Sequence, residues 1–562
     1  MDIRRTILWM IFSFSLLLLW NNWQVHNGQP SLFGGSSTSQ TTTAKTETPA
    51  QPADTSIPEG KTAASTTAAA PVGVPAGEQG SPIVAEKIDI KTDVYDLTFN
   101  TQGAQIVEAQ LLKYGSFEDS KQPMKLLTDS AGSIYLAQSG IVGAPQGQSF
   151  PTHLTPFRLV SSERTMTGDT LKVVFEALSD GVKVTRTYTL HKGRYDIDVQ
   201  QTIQNVGTAA VSPSVYYQLT RDGNDPPNTS HFYSTFTGPA VYSGEDKYQK
   251  IKFSDIDKNK AVYTKQAKDG WIGMVQHYFA SAWVPAGNVE RHNEVLRLGD
   301  NLYAIRAIEP IGTIEPGQQK TVDATLWVGP QDQQAMNHVA PGLGVVVDYG
   351  FLAIIAKPLF QLMTWLHGFL GNWGWTIVAL TLLIKLVFYP LSAASYRSMA
   401  KMKQVAPRLQ ALREKFGDDR AKLNQAMMEM YRTEKINPLG GCLPMVVQIP
   451  VFIALYWVLL GSVEMRGAPW ILWIHDLSAN DPWFILPAIM MGTMFLQIKL
   501  NPTPPDPTQA KIMMIMPLVF GGMMFFFPAG LVLYWCVNNI VSIAQQRFIM
   551  HKLEKETAAA HR

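Results

Sequence analysis

Residues 379–390 read ALTLLIKLVFYP and lie inside a long apolar run of the chain. A helix of about 20 apolar residues is the length that crosses a lipid bilayer. The single charge in this stretch is Lys385, which has apolar residues on both sides. A charged side chain at the centre of a spanning helix costs roughly 2.5–3.5 kcal/mol on insertion scales. The stretch therefore predicts a membrane-spanning helix whose lysine needs a physical explanation.

This run is the first of five in the C-terminal part of the chain, whereas the residues before about Pro341 are mixed in polarity. The five predicted spans are at about 373–391, 442–463, 483–498, 512–527 and 529–549. Near the N-terminus, Arg4 and Arg5 precede an apolar stretch that no small-residue cleavage site follows, which favours an uncleaved signal anchor over residues 1–26. The 562-residue chain is thus predicted to be a polytopic α-helical membrane protein with six spans.

Basic residues predict the orientation of these spans, because cytoplasmic loops carry an excess of Lys and Arg. Residues 395–438 contain ten Lys or Arg and five Asp or Glu. Their two helical patterns are divided by Gly417, and Pro407 is expected to break or kink the first. We interpret this segment as a cytoplasmic helical hairpin. Residues 464–482 contain one basic residue and are assigned to the outside, so both termini, including the tail 554–562, are predicted to be cytoplasmic.

The exported part of the chain is predicted to consist of a tether and a β-sandwich. Residues 27–81 are rich in Ser, Thr, Ala and Pro and should be disordered, because they cannot bury enough apolar surface. Residues 82–340 show period-two alternation in stretches such as LKVVFEAL and VKVTRTYTL, separated by turn residues. His277 and His292 are isolated, and we find no paired-carboxylate motif and no metal-ligand pattern. This domain is therefore predicted to have no catalytic site, metal or cofactor.

Residues 349–371 read YGFLAIIAKPLFQLMTWLHGFLG and follow the predicted sandwich. Polar residues interrupt one side of the helical pattern, which predicts an amphipathic helix lying on the outer membrane surface. An ordinary span kinked at Pro358 is the alternative. The predicted apolar face consists of Phe351, Ile354, Ile355, Leu359, Leu362, Met363, Leu366 and Leu370.

Composition excludes several functional classes. A net charge of +2 argues against a broadly basic nucleic-acid binder, and the two cysteines, Cys442 and Cys536, both lie in the apolar half. No Asp or Glu lies in the cores of the last five predicted spans, where ion-coupled transporters usually carry carboxylates. The sequence has no phosphate-binding Walker motif either. An energised pump is therefore a poor interpretation of this chain.

Lys385 lies about 18 Å along the helix from Trp373, at about 1.5 Å per residue. A lysine side chain can stretch only part of the way to the headgroups from this depth. Polar residues in the predicted spans could line a wet, positively charged cavity with it, although each could instead bridge two helices. These candidates are Thr381 one turn above Lys385, Gln448 in the next span, and Tyr534, Trp535, Asn538, Asn539 and Ser542 in the last, of which Tyr534, Asn538 and Ser542 share a helical face.

Methionines are concentrated in the predicted spans at 483–498 and 512–527, in MMGTM, KIMMIM and GGMMFFF, and in AMMEMY of the hairpin. Flexible thioethers adapt to many apolar partners, although they also fill gaps in ordinary spans. Two of the predicted spans are near 16 residues long, which favours local thinning of the bilayer.

Four further stretches carry a family resemblance: FYPLSAASYRSMAKM, INPLGGCLPMVVQIPVFIALYWVL, WIHDLSANDPWFILP and FPAGLVLYWCVNNIVSIAQQ. Over residues 348–553 the chain closely resembles the YidC/Oxa/Alb family of membrane protein insertases. Its anchor, tether and β-rich insert are similar to the Gram-negative form of that family. The resemblance implies a periplasmic β-supersandwich attached to an insertase core at 372–553, in the bacterial inner membrane.

The resemblance also implies a function without bond chemistry. A hydrophilic groove, open to cytoplasm and lipid, would receive nascent integral membrane proteins, and its positive charge would attract their acidic or polar parts. The implied partners are these nascent chains, the Sec translocon with its accessory subunits, membrane lipid, and ribosomes or targeting factors. No nucleic-acid substrate is implied. The implied groove residues are Lys385, Thr381, Gln448, Tyr534, Trp535, Asn538 and Ser542, and the hairpin residues that would recruit substrate are Met399, Lys401, Arg408, Arg413, Met427 and Met428.

This chain departs from the family pattern at two of these positions. Lys385 stands where the family usually has arginine, so the charge is kept but the planar, bidentate guanidinium is lost. Trp535 stands where relatives often have tyrosine.

Two other functions predict features that the sequence lacks. A solute transporter or channel with a periplasmic binding domain should show internal repeats and intramembrane ligands. A membrane-anchored carbohydrate-active enzyme should show a catalytic pair within residues 82–330.

Overall fold

The computed structural model describes residues 85–560 apart from 118, 120, 227–234, 417–418, 435–442 and 502–506. The predicted signal anchor and tether, residues 1–81, lie outside the described residues. The chain divides into two compact units, one ending at Val347 and the other beginning at Asp348.

The first unit is built from two nine-stranded sheets, with every strand pair antiparallel. The first sheet has the strand order β1-β2-β3-β4-β5-β10-β17-β16-β13 and the second β12-β11-β14-β15-β18-β9-β8-β7-β6. The strands are β1 Lys87–Lys91, β2 Tyr95–Asn100, β3 Gln105–Gly115, β4 Pro123–Ser130, β5 Ser133–Val142, β6 Arg158–Leu159, β7 Thr170–Ser179, β8 Val182–His191, β9 Asp196–Asn205, β10 Ser214–Asp222, β11 Gly238–Ser243, β12 Lys247–Lys250, β13 Gln266–Ala267, β14 Trp271–Gln276, β15 Phe279–Pro285, β16 Arg291–Gly299, β17 Leu302–Pro310 and β18 Gln319–Pro330.

Side-chain alternation explains why these segments form a sandwich. Successive residues of a strand point to opposite faces, and in β8 buried positions alternate with half-buried ones over all ten residues. The sheets pack through large side chains such as Trp283 and Trp327, which are fully buried. The Tyr135 hydroxyl of the first sheet also donates a hydrogen bond to the Met274 carbonyl of the second, at 3.1 Å. The predicted β-sandwich is confirmed.

Charged groups are also buried within this sandwich. Glu309 and Arg291 are 4% and 3% exposed. Burial raises the pKa of the Glu309 carboxyl above its ordinary value, while the positive charge of Arg291 opposes that rise.

The two short helices of this unit are α1, Phe253–Asp257, and α2, Gln333–Val339.

The second unit is helical. Its described helices are α3 Ala353–Leu370, α4 Trp373–Val387, α5 Tyr389–Phe416, α6 Arg420–Thr433, α7 Leu443–Gly461, α8 Ile485–Leu500, α9 Pro507–Met523 and α10 Ala529–Ala560. Short 3-10 turns at Gly350–Leu352, Val463–Met465 and Met524–Phe526 adjoin three of them. Two helices therefore occupy the predicted hairpin, and α10 continues beyond the predicted end of its span.

The first predicted span, 373–391, is not one straight helix. Helix α4 ends at Val387, and its axis and the segment Tyr389–Met402 differ in direction by 64°. Pro390 accounts for the bend, because proline has no N–H to donate to the carbonyl four residues earlier and its ring crowds that carbonyl. Pro407 was expected to break or kink its helix; it does not break it, since it lies within the 28-residue helix α5, and the kink stays a prediction. The loss of one backbone hydrogen bond there does not end so long a helix.

By length and hydropathy, none of the described helices alone is sufficient to cross a bilayer. The bent pair formed by Trp373–Val387 and Tyr389–Met402 meets the requirement jointly. Shorter apolar helical segments are present at Val447–Gly461, Ile485–Leu500 and Lys511–Phe526. The six spans therefore stay a prediction.

The stripe that helix α3 buries within the protein is separate from most of the predicted apolar face, whose contact with the membrane surface stays a prediction. Ala356, Phe360 and Met363 are buried at helical spacing. Of the residues expected on a single apolar face, Met363 belongs to this stripe, whereas Ile354 is 83% and Leu370 45% exposed. The reason is that α3 packs against α4 and α7 along that stripe. Much of its apolar surface is consequently exposed.

Candidate functional site

Lys385 lies in the last turn of α4, and it is only 5% exposed. Its Nζ donates a hydrogen bond of 2.8 Å to the Oγ of Ser542 on α10. The Ser542 hydroxyl proton is directed to the Asn538 carbonyl of its own helix, at 2.7 Å. A hydroxyl whose proton is already used can only accept, so the Ser542 oxygen is oriented towards the ammonium.

The charge of Lys385 is not neutralised within the described part of the chain, since no Asp or Glu there forms an ion pair with it. A buried ammonium is costly unless it is paired with an opposite charge and hydrogen-bonded. A serine oxygen supplies a dipole, but it supplies no charge. The geometry therefore creates a positively charged position that would be stabilised further by a carboxylate or another polar acceptor.

Two side chains that the sequence analysis did not select complete this cluster. The Gln545 Nε2 donates to the Lys385 carbonyl at 3.3 Å, in a helix-terminal turn where carbonyls lack intrahelical donors. The Tyr396 hydroxyl of α5 donates to the Ser542 carbonyl at 3.3 Å. Gln545 could have been found, because it lies one turn beyond Ser542 on the same helix. Tyr396 had no sequence signal, because its position depends on the bend after α4.

The other predicted groove residues have different partners. Thr381 is buried, but its hydroxyl donates to the Ile377 carbonyl of its own helix at 2.7 Å rather than to Lys385. Asn538 contributes its backbone carbonyl to the Ser542 contact. Gln448 is half-buried in α7. The structure thus brings Lys385, Ser542 and Asn538 together and leaves Thr381 bonded within α4.

Tyr534 and Trp535 belong to an aromatic cluster. The ring of Tyr534 stacks on Phe452 of α7, with centroids 5.8 Å apart. Trp535 contacts Phe452 at 4.4 Å and Phe520 of α9 at 5.1 Å between ring centroids. The face that Tyr534, Asn538 and Ser542 were predicted to share therefore has two environments, aromatic at Tyr534 and polar at Ser542. Trp535 links α10 to both α7 and α9.

Polar contacts also fix α10 to α8. Asn539 donates to Thr493 Oγ1 at 3.3 Å, and Gln546 donates to Asn501 Oδ1 at 3.1 Å, just beyond the end of α8. Asn539, selected as a possible cavity residue, therefore bridges two helices. Helix α10 is held by polar side chains on two sides.

The predicted recruitment residues lie on the two helices α5 and α6. Arg408 Nη1 and Glu434 Oε1 form an ion pair of 2.5 Å between these helices. Lys401 and Met428 are exposed, and Met399 and Met427 are half-buried. The side chain of Arg413 lies outside the described residues. Exposed cations and thioethers are thus available along this hairpin.

Comparison with known families divides the chain at nearly the same place as its structure. Residues 87–362 match the model of the YidC periplasmic domain. Residues 365–556 match the model of the 60Kd inner membrane protein.

Curated relatives cover the full length. The membrane protein insertase YidC of Bordetella parapertussis is 68% identical over 569 residues, which is 100% of each chain. The protein of that name from Cupriavidus metallidurans is 52% identical over 563 residues, 100% of this chain and 99% of the relative.

A solved structure titled as an active YidC insertase crystal structure with the first transmembrane domain resolved is 18% identical. It covers 82% of this chain and 91% of its own, with a TM-score of 0.38. The assignment therefore rests on the sequence relatives: the chain belongs to the YidC family of membrane protein insertases.

Proposed function

We propose that this chain inserts nascent integral membrane proteins into the bacterial inner membrane and assists their folding and assembly, alone or with the Sec translocon. Full-length identity of 68% to a named insertase supports this function. The observation that carries the proposed mechanism is the buried Lys385 ammonium, whose described side-chain partner is one neutral hydroxyl. The chain acts as an insertase and chaperone and makes or breaks no covalent bond.

Lys385 is the electrostatic receptor for the acidic or polar part of a translocated segment. A carboxylate adds the attraction of an opposite charge to its hydrogen bond with an ammonium, whereas a serine oxygen adds none. A substrate carboxylate would therefore compete well with the Ser542 oxygen for the ammonium. Ser542, Asn538 and Gln545 lie beside Lys385 and supply the polar surroundings that a translocated tail requires.

The apolar part of a substrate leaves the groove sideways along α7 and α9. Met514, Ile515, Leu518 and Val519 of α9 are each more than half exposed, which suits contact with apolar chains or lipid. Helices α8 and α9 have 16 and 17 residues, about 24–26 Å at 1.5 Å per residue. This is less than the ~30 Å thickness of a hydrocarbon core, so the bilayer beside them would thin. Thinning shortens the path of the polar tail.

The charge pattern and the family support the proposed topology. Both termini and the hairpin of α5 and α6 are placed in the cytoplasm, and the sandwich is placed in the periplasm. The hairpin receives substrate from ribosomes or targeting factors through Lys401, Arg408 and its methionines. A solute transporter, the alternative interpretation, is disfavoured by the family of the chain.

The test is complementation of a strain depleted of its own insertase. Lys385→Gln keeps a polar side chain, shorter by one atom, but removes the charge. We expect it to lower insertion of a substrate with an acidic translocated tail by roughly tenfold, the effect of losing one hydrogen bond to a charged group. Insertion of the same substrate with a neutral tail should change little.

Lys499→Gln provides the control, because Lys499 is an exposed lysine near the end of α8. Equal insertion of acidic and neutral tails by the Lys385→Gln variant, at normal protein levels, would contradict the electrostatic mechanism. Failure of the wild-type chain to complement any substrate would contradict the insertase function itself.

A further inference from the structure

Two hydrogen bonds from opposite sides of the helix bend meet at one residue. Lys385, three residues before the bend, donates to the Ser542 side chain. Tyr396, eight residues after it, donates to the Ser542 backbone carbonyl. Both arms of the 64° bend are thereby tied to the same turn of α10.

We propose that Ser542 is a positioning residue, which holds both arms of the bend through Lys385 and Tyr396 until an acidic group of a substrate takes the Lys385 ammonium from it. The inference rests on the proposed function for the identity of the competing group. It goes further by naming what holds Lys385 in the absence of substrate, and what changes when that contact is exchanged.

The chemistry of Ser542 suits a contact that can be exchanged. Its hydroxyl proton is committed to Asn538, so the oxygen accepts in one orientation and keeps the ammonium at a defined position. The oxygen is neutral, so the contact lacks the attraction between opposite charges that a carboxylate would add. An acidic residue here would compete with substrate for the lysine, whereas an apolar one would leave the charge without an acceptor.

Replacement of the Lys385–Ser542 contact by a substrate contact would affect both arms of the bend. The Ser542 contact links α4 to α10 through a side chain that substrate can recruit, and the Tyr396 contact links α5 to α10 through a backbone carbonyl. Once Lys385 turns to a substrate, one of these links is lost. Helix α5 begins at the bend and continues to Phe416, within the predicted hairpin. Occupancy of the Lys385 site is thereby coupled to the angle at which the hairpin leaves the groove.

The experiment measures the distance between nitroxide labels on the two arms of the full chain, by pulsed electron paramagnetic resonance. Suitable exposed positions are Leu382 on α4 and Arg397 on α5, after both cysteines have been replaced by serine. In Ser542→Ala, we expect roughly a tenfold rise in the population with a changed interarm distance, equivalent to about 1.4 kcal/mol. Ser542→Thr keeps the hydroxyl and should restore the wild-type distribution.

Ser462→Ala is the matched control. Ser462 is also buried, and its hydroxyl donates to the carbonyl four residues earlier, Val458, as Ser542 does to Asn538. Its substitution should leave the distance distribution unchanged. Tyr396→Phe should broaden the distribution without altering Ser542, which keeps the test available if Ser542→Ala fails to fold. A wild-type distribution in either Ser542→Ala or Tyr396→Phe would overturn the proposal.

A peptide substrate with an acidic tail should shift the wild-type distances towards those of Ser542→Ala, and the same peptide with a neutral tail should not. Equal shifts with both peptides would overturn the exchange step. The label measurement requires no insertion. Consequently, a Lys385→Gln variant that inserts acidic tails normally would contradict the proposed electrostatic role of Lys385, while the distance change in Ser542→Ala would still support the positioning role.

Discussion

At the scale of single residues, Lys385 is buried, and the side chain to which it donates a hydrogen bond, Ser542, is uncharged. Its placement against Ser542 follows from two residues that the sequence analysis had selected, a cation in the first core helix and a hydroxyl in the last. Their direct contact was not predicted, because Thr381 was an equally good partner until its hydroxyl proved to bond within its own helix. Helix-internal hydrogen bonds of Thr and Ser compete with contacts between helices and cannot be seen in a sequence.

The first prediction concerns the replacement of Lys385 by arginine, the residue that the family resemblance implies at this position. Lys385→Arg keeps the positive charge, and its planar group can bind a carboxylate through two hydrogen bonds. We expect insertion of acidic tails to stay within about threefold of the wild type, well above Lys385→Gln. Complementation rates measured with acidic and neutral tails check this. An arginine variant as defective as the glutamine variant would mean that shape rather than charge governs the site.

The second prediction uses the raised pKa of Glu309. Because the folded protein binds this proton more tightly than the unfolded chain, ionisation of Glu309 lowers the stability of the sandwich as pH rises from about 4.3, the ordinary glutamate value, through the folded-state pKa. In Glu309→Gln that contribution is absent. The unfolding temperature of the wild type relative to the variant should therefore fall over this pH window.

Fluorescence-monitored thermal unfolding of the full chain in detergent checks the Glu309 prediction. Glu315→Gln is the control, because Glu315 is exposed. A wild-type unfolding temperature that rises relative to Glu309→Gln as pH increases would show that pairing with Arg291 outweighs burial.

At the scale of elements, helix ends determine how the second unit is organised. Asn372 begins α4 by accepting a hydrogen bond from the Trp375 amide at 3.1 Å, and Pro390 accounts for the bend after its last turn. The first amides of α10, at Ala529 and Gly530, donate at 2.7 and 2.9 Å to the carbonyls of Ala479 and Leu477, in the loop between α7 and α8. Apolar runs in the sequence predicted where these helices are. The bend was missed because the apolar run continues across it without interruption.

The third prediction concerns the start of α8. The residue before this helix, Phe484, has no side-chain oxygen that could cap the free amides of the first turn. The Asp481 carboxylate caps them instead. It accepts hydrogen bonds of 2.7–3.0 Å from the amides of Trp483 and Leu486 and from the Trp473 indole. Replacing such a capping residue costs about 0.5–2 kcal/mol. Asp481→Ala should speed amide hydrogen exchange in the first turn of α8 by roughly 5–30-fold if the cap is worth 1–2 kcal/mol.

Asp476→Ala is the matched control for the Asp481 cap, since Asp476 lies in the same loop and its carboxylate accepts hydrogen bonds from the amide and the hydroxyl of Ser478. Its removal should leave exchange in α8 unchanged. Equal exchange rates in the Asp481 variant and the wild type would show that packing alone fixes this helix end.

At the scale of the whole molecule, the chain separates a β-rich unit from a helical one at Val347 and Asp348. Composition and periodicity predicted this separation, and they predicted a sandwich. They could not predict the strand order, in which β10 lies between β5 and β17, because such neighbours are far apart along the chain. The family adds the function, and residues 365–556 of the helical unit match the model of the 60Kd inner membrane protein.

The fourth prediction follows from that separation. A chain lacking residues 88–330 keeps every residue of the Lys385 cluster, so it should still complement insertion of a small substrate. The same deletion carrying Lys385→Gln is the control, and it should lose insertion of acidic tails. Loss of all insertion by the deleted chain, at normal abundance in the membrane, would place an essential part of the function in the sandwich.

The most direct test of the central claim is photo-cross-linking from position 385 to a stalled nascent span with an acidic tail. A diazirine analogue of lysine at this position keeps the amine, and the same analogue at Lys499 reports contacts outside the proposed groove. We predict a cross-link from position 385 that weakens when the acidic tail is made neutral, and little cross-linking from position 499. A nascent span that cross-links to position 499 but not to position 385 would contradict the assignment of Lys385 as the receptor for substrate.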